Sequence, residues 1–273
     1  MAIYVDGKKI AGLGSRGEPG KSAYQQAVEG GYIGTEEDFK SLLADIMPRA
    51  EIEDRLTAID NQLNGMSVHL YVSINGSDET GDGTQDKPYR TVQKAVDAIK
   101  PYHTNAIITI GPGVYDEDVT IANKTATITL SSAQNANKAK LKYVYATYCR
   151  SIWLDYLSFD KTDLSGDLPC INIFNVNNAT IRYCEISGNS EIYGISSNAS
   201  NVYVANTSIS NCGAAILTTY NSLLTARLVS GDNNQIGYSA HSSILNVSSS
   251  TLQAATLTEK RNGGIIYKDG VQV

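Results

Sequence analysis

The chain has 273 residues, with 22 Lys plus Arg against 28 Asp plus Glu and a net charge of -6. That balance argues against a nucleic-acid partner, and no basic stripe offsets it: the densest cluster, residues 138 to 142, holds only three lysines. No apolar run reaches the roughly 20 residues a membrane helix needs, so no membrane insertion is expected. The first ten residues lack the apolar core of an export signal, so synthesis in the host cytoplasm is expected.

Ile3-Tyr-Val, Asp6-Gly7 and Lys8-Lys-Ile predict a hairpin over residues 1 to 11, with a type I′ turn at Asp6-Gly7. Gly14, Gly17 and Gly20 then recur every third residue, the spacing that fits the axis of a collagen-like triple helix. The run Gly17-Glu-Pro-Gly20-Lys21-Ser22 is not a phosphate loop, because that pattern needs glycine where Ser15 stands. Ser22-x-x-Gln25 reads as a capping box and Gly30-Gly31 as a stop. Thr35-x-x-Asp38 opens a second helix with Phe39, Leu42, Leu43 and Ile46 on one face, broken at Pro48.

Ile52, Leu56, Ile59, Leu63 and Met66 follow at spacings of 4, 3, 4 and 3. This a/d stripe buries itself only against another helix. With the glycine triplets it predicts an elongated homotrimer, those five residues forming the contact between chains. A flexible linker and an ordinary amphipathic helix are the plainer alternative.

From His69 the texture changes to short apolar segments between Asn, Ser and Gly turns. A helix is expected at 91 to 100, with Val92, Ala95, Val96 and Ile99 on its buried face. Later, four segments closing on Ile186, Ile209, Val229 and Leu252 align at spacings of 23, 20 and 23. Coils of short strands stacked about 4.8 Å apart fit that period, and such a stack buries a core no single repeat could bury. The expected fold is mainly β, a right-handed parallel β-helix of about 20 to 23 residues per coil, with short helices and a coiled-coil neck ahead of it. Ile265-Ile-Tyr-Lys, Asp269-Gly270 and Val-Gln-Val273 predict a closing hairpin.

Two stretches carry a resemblance. Tyr71-Val-Ser, Gly76-Ser-Asp78, Asp82-Gly83-Thr84, Pro88-Tyr-Arg-Thr91, Gln93-x-Ala95 and Pro112-Gly-Val-Tyr115 with Glu117 resemble the entry segment of pectate-lyase-like parallel β-helix proteins. Residues 20 to 39 are similar to a module of tail, baseplate and fibre proteins from phages of Gram-positive bacteria. Together they imply a phage appendage of the tailspike kind: an anchor at 1–47, a neck at 48–68, a β-helix at 69–258 and a hairpin at 259–273. The anchor would dock on another virion protein, and the body would bind a bacterial surface glycan. A polysaccharide depolymerase of the same fold and a capsid head-fibre or decoration protein are the alternatives, because the fold hosts lyases, hydrolases and inert spikes alike.

The residues give an enzyme little to work with. Between Ile171 and Leu257 the charged side chains are Arg182, Glu185, Glu191, Arg227 and Asp232. Glu185 and Glu191 could form a glycosidase pair, but solvated surface acids are the blander reading. Asp155, Asp160, Asp163 and Asp167 could bind calcium, or simply line an exposed loop. The loop with Asp78, Asp82 and Asp86 fails the EF-hand spacing. No catalytic residue, metal or cofactor is assigned. Cys149, Cys170, Cys184 and Cys212 show no CxxC spacing and read as buried thiols. Among 17 tyrosines, Tyr183, Tyr203, Tyr220 and Tyr238 are candidates for stacking on sugars, though their spacings of 20, 17 and 18 do not keep strict register.

Overall fold

A computed structural model describes residues 2–5, 8–12, 22–45, 66–132, 138–162 and 168–273. The chain divides into two compact units, residues 1–62 and 63–273, so the boundary falls within the expected neck and not at its ends. The glycine triplets, and Ile52, Leu56, Ile59 and Leu63 of the heptad, lie outside the described residues.

In the first unit, β1 (Ala2–Val5) and β2 (Lys8–Gly12) pair antiparallel. Helix α1 (Ala23–Glu29) begins at the expected capping box: Ser22 Oγ accepts from the Gln25 amide, and Gln25 Oε1 accepts from the Ser22 amide. Helix α2 (Glu36–Asp45) has a matching arrangement between Thr35 and Asp38. Tyr24, Tyr32 and Phe39 form an aromatic triangle with centroids 5.4 to 6.3 Å apart. The hydroxyl of Tyr24 also donates to the Gly34 carbonyl.

The second unit is a parallel β-helix. One wall stacks β3 (Ser67–Val72), β4 (Asn105–Ile110), β6 (Thr127–Ser132), β8 (Ser151–Asp155), β11 (Asn178–Arg182), β14 (Asn201–Ala205), β17 (Leu223–Arg227), β19 (Ile244–Ser248) and β21 (Ile265–Lys268) in parallel. We call it the straight wall. The return path begins with the long strands β5 (Gly113–Ala122) and β7 (Ala139–Thr147). It then splits into short strands β9 (Ser158–Asp160), β12 (Glu185–Ser187) and β15 (Ser208–Ser210), and a further set. That set is β10 (Ile171–Phe174), β13 (Tyr193–Asn198), β16 (Ala214–Thr219), β18 (Asn234–His241) and β20 (Ala254–Arg261).

Alternation decides what points inward. On the straight wall, Ile108, Leu130, Leu154, Ile181, Val204, Ala226 and Val247 stack in register, all buried. Burying each larger aliphatic side chain contributes about 1.5–3 kcal/mol.

At the corner leaving this wall, the residue adopts a left-handed backbone in each of six coils: Tyr156, Tyr183, Asn206, Leu228, Ser249 and Asp269. The conformation costs a non-glycine residue about 1–2 kcal/mol. It is held because the hydrogen-bond ladder continues round the bend: Tyr156 N–H donates to Arg182 O at 3.0 Å, and Tyr183 N–H to Ala205 O at 3.2 Å.

One expected alignment shifts. Phe159, Ile186 and Ile209 share a column, but Ser208 bridges Ser230, so the next member is Gly231 and not Val229. Val229 occupies the corner position of Thr207 instead. A shortened coil misled the constant-period alignment. The closing hairpin also begins later than residue 259: β20 runs to Arg261, β21 belongs to the straight wall, and only β22 (Val271–Gln272) pairs antiparallel.

The resembling residues form the N-terminal cap. Helix α3 (Val92–Ala98) buries Val92, Ala95 and Val96 against the first coils. Asp78 Oδ1 accepts from the amides of Arg90 and Thr91, and its Oδ2 from the Thr91 hydroxyl at 2.7 Å. Glu117 accepts from the amides of Val92 and Gln93, at the positive end of the helix. The Gln93 carboxamide accepts from Thr120 N–H and donates to Thr120 O, pairing with the edge of β5 as a neighbouring strand would. An unpaired parallel edge is an aggregation hazard, and this side chain covers part of it.

All four cysteines are buried and unbridged. Cys149, Cys184 and Cys212 each place Sγ 3.3 Å from the carbonyl two residues earlier, at Thr147, Arg182 and Ser210. Ser200 and Thr207 make the same contact from other corners. Burial raises every one of these thiols, Cys184 and Cys212 to about 12. A raised thiol stabilises the fold below its unfolded value near 9, and that stability is lost as pH rises toward the folded value. Unfolding midpoints should therefore hold steady to about pH 8.5 and fall beyond it. A thiol-reactive dye should label none of the four until the chain unfolds; rapid native labelling would contradict the packing.

Candidate functional site

Three outward columns run along the straight wall. The first, at the strand starts, is Ser67, Asn105, Thr127, Ser151, Asn178, Asn201, Leu223, Ile244 and Ile265. The second contains Thr129, Trp153, Thr180, Tyr203, Thr225, Asn246 and Tyr267. Charge is confined to the third, where Asp155, Arg182 and Arg227 sit beside the corner that leaves the wall.

Asp155 and Arg182 are stacked by one coil and form a bidentate pair, Arg182 Nε to Asp155 Oδ1 at 3.0 Å and Nη2 to Oδ2 at 2.7 Å. The Asp155 carboxylate, as its main effect, holds the Arg182 proton more tightly than usual. The guanidinium lies 4.7 Å from the Trp153 ring centroid, a cation–π contact. At the adjoining corner Tyr156 and Tyr183 stack face to face, centroids 4.7 Å apart and planes 5° from parallel. Lys138 anchors this corner, donating to Tyr183 O at 2.9 Å and pairing with Glu185 at 2.8 Å. Further along, Tyr203 is 37% and Tyr183 39% exposed. Arg227 is exposed, and among the described residues it forms no ion pair.

The four candidate tyrosines are thus separated. Tyr183 and Tyr203 border the charged column. Tyr220 lies at the opposite corner, 68% exposed, and Tyr238 is buried in the core at 1% exposure, where no external ligand meets it. Trp153, Tyr156 and the Asp155–Arg182 pair escaped the sequence reading. Tyr156 and Tyr183 stand 27 residues apart, longer than the assumed period, so Asp155 was never set above Arg182. The acidic group around Asp155 does not assemble: Asp155 is on the straight wall, Asp160 on β9, and Asp163 and Asp167 lie outside the described residues. Glu185 is engaged by Lys138, and the Glu191 amide is held in a turn by Asn189.

A second feature is a cleft of about 320 Å³ on β5, β7 and β9, lined by Asp116, Lys140, Lys142 and Asp160 among others. Lys142 Nζ stands 3.6 Å from Asp116 and 3.9 Å from Asp118. Nearby Lys161 is buried, donates to Leu168 O and lies 5.0 Å from the Tyr143 ring centroid. Burial lowers its basicity. Among the described residues no three His, Cys, Asp or Glu side chains come together to hold a metal.

No protein-family profile matches the sequence, and no curated protein matches it. Solved structures do. Escherichia coli YbhC superposes with a TM-score of 0.53 at 13% identity, over 68% of this chain and 64% of that one. The likeness is one of fold, and the chain spans less than two thirds of that protein. The GH136 lacto-N-biosidase from Eubacterium ramulus gives a TM-score of 0.39 at 11% identity, covering 88% of this chain and 62% of its own. Pectate lyase Pel9A gives 0.34 at 12% identity, with 74% and 78% covered.

Proposed function

We propose that this chain is a self-associating subunit of a phage or phage-derived appendage whose β-helical body binds a bacterial surface polysaccharide. The observation that carries the binding half is the flank of the straight wall. Stacked Tyr156 and Tyr183, exposed Tyr203 and the uncompensated Arg227 offer flat apolar faces and a cationic donor along an extended surface. Sugar rings stack on aromatic faces, and a chain polymer matches a surface that repeats every 4.8 Å or so. The anchor at 1–47, its docking on another virion protein, and a virion location rest on the sequence resemblance.

Binding is tested with the full chain on a panel of purified Gram-positive wall and capsular polysaccharides. Tyr183→Ala and Tyr203→Ala should each weaken binding about 10-fold, equivalent to ~1.4 kcal/mol, while Tyr220→Ala leaves it unchanged. Equal losses at all three positions would remove the flank from the reading.

The cleft beside Lys142 supports a depolymerase as second reading, because carboxylates and an amine line one hollow. Release of reducing or unsaturated ends, abolished by Asp118→Asn, would favour it over binding alone.

A further inference from the structure

We infer that the first outward column of the straight wall is where the β-helical bodies of neighbouring copies of this chain pack together. This rests on the self-association proposed above and assigns it a second surface. None of the column's nine residues, from Ser67 to Ile265, is charged. The Asp155, Arg182 and Arg227 charges all stand at the far edge of the same wall.

Toward the C-terminal end the column becomes apolar. Leu223 and Ile244 are stacked in register and remain 43% and 40% exposed. Ile265 continues the stack, and Tyr220, 68% exposed, stands at the corner immediately before Leu223. Upstream, Asn201 Nδ2 donates to Asn178 Oδ1 at 3.2 Å, so this part is an uncharged amide ladder.

The position of the column says what covers it. The heptad ends, in sequence, on Met66, which is 41% exposed and precedes Ser67, the first residue of the column. Met66 O accepts from the amides of Thr104 and Asn105, tying the end of the heptad to the second coil at the foot of the column. Helices joined through the heptad would deliver each body with this corner toward its neighbours. A second copy is therefore the occupant. It also matches an uncharged, self-complementary strip better than an anionic polymer does, since the strip offers no cation.

The test uses the full chain with single cysteines added by Ile244→Cys, Leu223→Cys or, on the opposite wall, Gln235→Cys, alongside native mass spectrometry. The native thiols are buried and contribute no background. Mild oxidation or a short bismaleimide should link Ile244→Cys and Leu223→Cys chains in pairs at least 10-fold faster than Gln235→Cys. An oligomer in which Gln235→Cys links as fast overturns the column but leaves self-association standing. A chain that is monomeric by native mass overturns both. An oligomer that links through the column and falls to monomer with Leu56→Asp and Leu63→Asp supports both.

Discussion

Gly231→Ala should lower the melting temperature of the β-helix by about 10 °C. Gly231 has φ +125°, a conformation closed to side-chain-bearing residues without strain, and an added Cβ would lie 1.9 Å from the Ile209 carbonyl oxygen. That atom belongs to the backbone of the coil below, so no rotamer relieves the overlap. The two coils must part, disturbing the bond from Gln253 N–H to Gly231 O at 2.8 Å. Strain and overpacking together cost about 3 kcal/mol, which is about 10 °C for a unit of this size. Gly263→Ala is the control: its φ is +78°, but an added Cβ there meets nothing within 4 Å. It should cost only about 1 kcal/mol. Equal effects in calorimetry would show that backbone conformation, not the approach of two coils, fixes Gly231.

Asp78→Ala should detach the N-terminal cap. Three hydrogen bonds end on this carboxylate, and its loss leaves the amides of Arg90 and Thr91 without their acceptor. The cost is about 3 kcal/mol, from the penalty on abandoned donors to a charged group. Hydrogen exchange should rise first at Val92, Gln93 and Thr120, because helix and strand edge are held through the same network. The pH dependence has a definite sign. Burial pushes the Asp78 carboxyl up, but the bonds from Thr91 and Arg90 outweigh it, leaving the group below its ordinary 3.8. Its stabilisation is present above 3.8 and is lost as pH falls through the folded value. Glu117 acts in the opposite sense: burial, its largest influence, raises it, so protonation on mild acidification relieves a cost. The parent chain should therefore lose the Asp78 contribution only in strong acid, and Asp78→Ala should lack that limb. Identical acid limbs in the two proteins would contradict the network.

Much of the fold was legible. Alternating Ile and Val between Asn and Ser turns requires stacked strands, and the Asp78–Glu117 block marked its own place as the entry segment. The capping boxes at Ser22 and Thr35 were readable because their partners lie three residues away. The candidate site was not readable, because Asp155 and Arg182 become neighbours only when a 27-residue coil is counted correctly. Val229 was misplaced for the complementary reason: Gly231 fills the column position in a coil two residues shorter than assumed. Tyr238 was chosen for its residue type, and nothing in its neighbours announced that it points inward.

The left-handed corner residues from Tyr156 to Asp269 are 27, 23, 22, 21 and 20 residues apart, so the coils shorten steadily toward the C-terminus. The strands from β8 to β19 on the straight wall keep five residues each. The loss falls opposite, where β9 and β10 are joined by ten residues, β12 and β13 by five, and β15 and β16 by three. One side of the body thus behaves as a rail of constant gauge while the other side tapers. Length and girth can vary at the tapering side by insertion or deletion without changing the register that a long polymer or a neighbouring rail would meet.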